Sequence, residues 1–220
     1  WAAVLDAGAG FGSVCWLLGL QRCRTLSAVT ASKTGTYGHG SLQTAIDSAG
    51  APARVHLGNW RDEQFLSGRK FDVVVADYLL GAVEFHWPHG ADRVMDRLFD
   101  AVRPGGYLLV VGVEPYEGVL DSRQGGAHDQ LVLDLEALGD TAAALAGKTS
   151  YRELPEDWVI HQIQRREGFQ VVASERFPMT LTAKSLRKQV SFARDKAREI
   201  TNEGLRKAFL RRADQLEEGL

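Results

Sequence analysis

Residues 6–12 read Asp-Ala-Gly-Ala-Gly-Phe-Gly, an acid followed by three alternating glycines. Glycine lets a chain turn sharply and lets backbone approach a ligand where a Cβ would collide with it. A helix starting beyond such a turn offers unpaired main-chain N–H donors. Two common uses of glycine turns are disfavoured by spacing. The dinucleotide fingerprint G-x-G-x-x-G needs its third glycine where this chain has Ser13, and Gly12 instead follows Gly10 by two. A phosphate loop needs Gly-Lys-Ser/Thr, which does not follow.

Other chemistry-bearing residues cluster after apolar runs. Phe71-Asp72-Val73-Val74-Val75-Ala76 ends at Asp77, and Tyr78, Glu84, Phe85, His86, Trp87, Pro88 and His89 come next. The run ending at Val113 leads to Glu114, Tyr116, Glu117 and Asp121. His86 and His89 have side chains whose ordinary pKa suits general base work near neutrality. The remaining histidines, His39, His56, His128 and His161, have no identifiable partners. No His/Cys/carboxylate group has metal-ligand spacing, so no metal is expected. Cys15 and Cys23, on and just after a predicted helix, read as buried thiols in a reducing, cytoplasmic setting.

The elements that must position these groups alternate between β-branched runs and helical patterns, the signature of a parallel sheet wound by helices. Strands are predicted over 2–6, 25–30, 54–57, 71–76, 107–113 and 169–177. The fourth has the continuous apolar character of a strand buried on both faces. Helices are predicted over 12–20, 41–49 and 91–102, with 32–40 a loop. Pro104-Gly105-Gly106 stops the third of these, proline by its missing donor and glycine by its left-handed cap. An acidic, Ala/Leu-rich insert spans 130–145, and Pro155, Glu156 and Asp157 suit the first turn of a helix ending at Gly168.

In the tail, Leu186, Val190, Ala193, Ala197 and Ile200 fall at helical spacing, as do Leu205, Phe209 and Leu216. Residues 184–220 carry ten Lys/Arg against six Asp/Glu, a local charge of +4 within a chain of net −2. We read a C-terminal helical pair with solvated charged faces. The expected architecture is a doubly wound, mostly parallel α/β sheet of six or seven strands with helices on both faces. Residues 1–178 form its main domain and 179–220 a helical extension packed on it. The chain starts abruptly on an apolar strand at Trp1, as a trimmed sequence would.

Val4-Leu5-Asp6-Ala7-Gly8-Ala9-Gly10-Phe11-Gly12 resembles the S-adenosylmethionine (SAM) binding signature of class I methyltransferases. Gly58-Asn59 stands where that family places a Gly-Asp pair. Phe71–Asp77 is similar to its fourth strand, and Arg103-Pro104-Gly105-Gly106-Tyr107 to its pre-strand turn. The resemblance covers about residues 2–113. It implies that Asp6, Gly8, Gly10 and Gly12 surround the methionine part of SAM, and that Asn59 faces the adenine amino group. Trp60 packs on the adenine or serves as a plain core aromatic, and Asp77 lies near the sulfonium. Two departures stand out. The second strand lacks the acid that grips the ribose, leaving Thr30 as the positional match, and no strand-like run follows Phe177.

The implied activity is methyl transfer from SAM to a small-molecule acceptor, with an amine nitrogen as the acceptor atom. Asp77, His86 and His89 are the candidate catalytic residues. Tyr78, Glu84, Trp87, Glu114 and Tyr116, with Glu117 and Asp121, are candidates for holding the acceptor, since aromatic walls and carboxylates attract cations. A degenerate domain acting as a non-catalytic binding or assembly module is the alternative, and aminopropyl transfer a third reading. Neither a membrane span nor a globally basic nucleic-acid surface is visible.

Overall fold

In a parallel sheet covered on both faces, the central strands must be apolar on both sides. Two segments meet that demand, Ala3–Asp6 (β1) and Phe71–Asp77 (β4), whose Val4, Leu5, Val73, Val74, Val75 and Ala76 are all buried. The computed structural model describes residues 3–20, 22–35, 38–50, 52–116 and 127–220. The start of the first predicted strand at Ala2, and the candidates Glu117 and Asp121, lie outside the described residues. The same holds for the side chain of His128.

With β2 (Thr25–Thr30), β3 (Ala53–Leu57) and β5 (Val102–Val111), β1 and β4 make a five-stranded sheet in the order β3-β2-β1-β4-β5. Every pairing is parallel. The chain winds outward from β1 to β3, then returns to β4 on the other side of β1. The order therefore reverses between β1 and β4, where doubly wound sheets open a crevice beyond the strand ends.

One face of the sheet is sealed by α1 (Phe11–Gly19) and α2 (His39–Ser48). Val14, Leu17, Leu42 and Ile46 pack there against Val4, Leu26, Ala28, Val55, Val73 and Val75. Alternation of side chains along the strands turns Leu5 and Val74 to the opposite face. There α4 (Ala91–Ala101) packs on β4 and β5, with Val94, Met95, Leu98 and Phe99 buried.

After β5 the chain continues into α5 (Ala127–Leu145), α6 (Glu156–Gln164), α7 (Ala183–Ala197) and α8 (Glu203–Glu218). Contacts gather into two compact units, Trp1–Val113 and Glu114–Leu220. The second unit has its own apolar core. Leu135, Leu138 and Ala142 of α5 meet Val190 and Ala193 of α7 and Phe209 and Ala213 of α8. Thr182 caps α7, accepting from the Ser185 amide, and Asn202 caps α8, accepting from the Leu205 amide. No helix among the described residues is long and apolar enough to cross a membrane.

Four expectations are corrected. Cys15 is exposed and Cys23 half-buried, with Cys23 past the end of α1, so the two are not the buried thiols expected. Residues 169–177 form no strand and lie exposed from Gln170 onward, with Val172 71% and Phe177 80% accessible, so the described sheet has five strands rather than six or seven. β5 begins at Val102 and not after the Pro-Gly-Gly turn. Its register on β4 jumps from Phe71↔Val102 to Val73↔Tyr107, so Arg103–Gly106 bulge out of the ladder, with Gly105 at φ +76° supplying the left-handed residue. Residues 79–86, read only as a stretch after the fourth strand, form a helix, α3 (Leu79–His86).

Candidate active site at the sheet's switch point

Asp6 and Asp77 end the two strands that flank the reversal of strand order. The Asp6 side chain is fully buried. Burial pushes its carboxyl from the ordinary 3.8 up to about 6, with the Asp77 charge adding to the rise, while hydrogen bonds from Ser13 and Gly8 oppose it. Asp77 is half-buried, and desolvation raises its pKa too. The sheet's crevice thus holds two carboxyl groups that burial disfavours as anions.

The glycine turn is braced from several directions. The Ser13 hydroxyl donates to Asp6 Oδ2 at 2.7 Å and accepts from the Gly10 amide at 3.1 Å. The Gly8 amide approaches Asp6 Oδ1 at 3.4 Å. The Ala7 amide donates to Val75 O and the Ala9 amide to Val29 O, tying the turn to β4 and β2. Gly10 then caps α1 in an extended conformation. A Cβ on Gly8 would stand 2.9 Å from Leu79 Cδ1 and 3.2 Å from Leu79 Cβ, whereas one on Gly12 would meet nothing within 4 Å. Gly8 is therefore required by α3 packing beneath it, while Gly12 opens onto free space.

The neighbouring turns are laced to the same rim. The Gly58 amide donates to Thr30 O at 3.0 Å, and the Tyr78 amide to Val111 O at 2.9 Å. Thr30 is buried, and its hydroxyl accepts from the Ser32 amide at 3.2 Å. Asn59 is exposed, with Oδ1 accepting from the Arg61 amide at 2.9 Å, so the amide oxygen keeps a second lone pair. Trp60 is buried, and its indole N–H donates to Ala7 O at 2.8 Å. Asp6, Gly8, Gly10, Thr30, Asn59, Trp60 and Asp77 belong to the carboxyl ends of β1 to β4 and the turns leaving them, and Gly12 to the first turn of α1.

The acceptor candidates are more dispersed. Tyr78 is 47% exposed at φ +51°, in the left-handed region, at the N-cap of α3. Glu84 accepts from the His89 and Ala91 amides at 2.9 and 3.0 Å, and so caps the start of α4. The Trp87 ring has two of the protein's own cations near it, Arg61 at 5.3 Å and Arg93 at 5.7 Å. His86 and His89 are exposed, and the His86 carbonyl accepts from the Arg61 guanidinium. Glu114 and Tyr116 belong to the second unit. There Glu114 accepts from the Glu156 amide at the start of α6, and Tyr116 packs against the helical core.

Two residues that organise this rim were not visible as such in the sequence. Ser13 stands out there only as the residue that breaks a dinucleotide fingerprint. Arg97 lies in the polar stripe of a strongly amphipathic helix, with nothing to mark it. It donates to the carbonyls of Trp60, Asp62 and Phe65, and its guanidinium sits 5.1 Å from the Trp60 ring centroid.

Comparison with protein-family models and with curated proteins gives no match for this sequence. Solved structures do match. An O-methyltransferase family protein from Burkholderia thailandensis aligns with 19% identity and a TM-score of 0.52, over 74% of this chain and 44% of its own. This chain thus spans less than half the length of that protein. The YcgJ protein from Bacillus subtilis aligns with 14% identity and a TM-score of 0.56, over 94% of this chain and 80% of its own. The chain thus has a doubly wound, Rossmann-like α/β fold, shared with a protein of the O-methyltransferase family.

Proposed function

We propose that this chain binds SAM at the carboxyl ends of β1 to β4 and transfers its methyl group to a small-molecule acceptor, at an amine nitrogen. The observation that carries the reading is the pairing of the glycine turn with Asp6 and Asp77 at the switch point. SAM carries an ammonium and a sulfonium, and cations placed near a buried and a half-buried carboxyl group favour their ionised forms.

In this reading Gly8, Gly10 and Gly12 give the main chain room beside the methionine part, and Asp6 sets the field there. Thr30 meets the ribose, Asn59 accepts from the adenine amino group, and Trp60 backs the adenine side. Asp77 and Tyr78 face the reacting centre. His86 or His89 takes the proton of an ammonium acceptor, with Glu84 and Trp87 contributing to its enclosure. Methyl transfer requires the nucleophile in line with the S–CH3 bond, so most of the acceleration comes from positioning.

Isothermal titration with SAM and S-adenosylhomocysteine (SAH) tests the binding step. Saturable one-to-one binding is expected, and no heat at millimolar ligand with a folded chain overturns the reading. The alternative, a non-catalytic module on the same fold, is favoured by Thr30 standing where a ribose-gripping acid is expected. A neutral hydroxyl is the weaker partner for a diol. Turnover of labelled SAM with any amine acceptor excludes that alternative.

A further inference from the structure

The turn following β3 carries no helix or strand of its own, yet it supplies Asn59 and Trp60 to the rim. Its shape must be imposed from outside, and one side chain does most of this. Arg97, on α4, directs its guanidinium to three carbonyls of that turn: Trp60, Asp62 at 2.7 Å, and Phe65. The same guanidinium lies 5.1 Å from the Trp60 ring centroid. A planar fork with five donors can bridge several carbonyls at once, which an ammonium cannot do with the same geometry.

The connection continues inward. Trp60 is held edge-on to Phe65, with ring centroids 5.7 Å apart and an interplanar angle of 80°. A Cβ on Gly58 would stand 2.0 Å from the Phe65 ring, so that ring closes directly over the turn. The Trp60 indole N–H reaches Ala7 O at 2.8 Å, inside the glycine turn between Asp6 and Gly8. Three segments distant in sequence are thereby joined in series: α4, the turn after β3, and the turn after β1.

We infer that Arg97 is a positioning residue for cofactor binding, holding the adenine-side turn in shape and, through the Trp60 indole N–H, registering it against the glycine turn. The inference rests on the SAM-binding reading above, and it assigns to α4 a role beyond covering the sheet. Arg97 touches neither cofactor nor acceptor; it acts through Trp60. Burial of the guanidinium lowers its pKa, the sign of a cation held for its hydrogen bonds at a solvation cost.

Two measurements on the full chain test this. The first is hydrogen exchange of the Trp60 indole N–H by NMR, its signal assigned by its loss in Trp60→Phe among the five tryptophans. Arg97→Ala is expected to speed that exchange at least tenfold at a temperature where the variant is folded, and Arg97→Lys to fall between. Unchanged exchange overturns the coupling, whatever the protein binds. The second is SAH affinity by titration at the same temperature. Arg97→Ala and Trp60→Phe are each expected to weaken it tenfold or more, and the double variant little further, because the two act in series. Wild-type affinity in folded Arg97→Ala overturns the positioning role, as a merely structural arginine would lower melting temperature alone. A wild-type chain that binds no SAH instead removes the reading on which the role rests. Should Arg97→Ala not fold, Arg97→Gln carries both comparisons.

Discussion

Phe-Asp-Val-Val-Val-Ala-Asp at 71–77 and Phe-Gln-Val-Val-Ala-Ser-Glu-Arg-Phe at 169–177 look alike as strand-forming runs. The first is β4, paired on one side with β1 and on the other with β5. The second forms no ladder, and its Val171, Val172 and Phe177 are exposed. The difference lies in what each run finds beside it. A strand is completed by neighbours, because its main-chain donors and acceptors point sideways into a ladder. A helix satisfies its own backbone and needs no such partner, whereas residues 169–177 are paired in no ladder and form no strand.

The largest test of this contrast makes one substitution in both runs. Val74 is fully buried, so Val74→Asp is expected to cost about 3–5 kcal/mol as an unpaired buried charge, or to prevent folding. Urea unfolding measures it. A small loss there would mean that the sheet's centre is not the packed core described.

The next effect concerns the acid at the end of β1. The rise of the Asp6 pKa from 3.8 to about 6 corresponds to on the order of 3 kcal/mol. Because the folded pKa is the higher one, this contribution is fully present below about pH 4 and lost as pH rises through about 6. The stability difference between wild type and Asp6→Asn, measured from pH 4 to 7, should fall across that window. A difference independent of pH would place Asp6 in a wetter setting than the buried one described.

Gly8→Ala follows, at about 1–3 kcal/mol, since its Cβ would press on Leu79. Combining it with Leu79→Ala should cost less than the sum of the two single changes. Full additivity in thermal melts would show that no such contact exists. The smallest effect is the partner of the first test. Val172→Asp should change stability by under about 0.5 kcal/mol, as for most exposed positions. A loss comparable to that at Val74 would show that residues 169–177 are buried after all and would break the contrast.

Much of the first unit was legible in sequence. β2 runs over the predicted 25–30, and β3 and β4 differ from expectation by one residue at one end. Apolar runs bounded by glycine and proline carry that information locally. α3 was not legible because Leu79-Leu80-Gly81-Ala82-Val83 has no polar period, and the helix is entered through Tyr78 at a positive φ. The bulge at 103–106 needed the position of β4 to be seen. The glycines and acids of the candidate site could be named from their spacing, but the roles of Ser13 and Arg97 could not. Ser13 depends on a contact seven residues back, and Arg97 on carbonyls 32 to 37 residues away. Only the folded chain brings those groups together.

The central claim is that ligand binds at the switch point between β1 and β4. Amide NMR during titration with SAH tests it directly. The account predicts that the largest shifts fall on Gly8, Gly10, Gly12, Asn59 and Asp77, with the second unit's α7 and α8 little changed. Shifts confined to the cleft lined by Arg54, His56 and Arg69 at the sheet's β2–β3 edge, or no shifts at millimolar SAH, would contradict it.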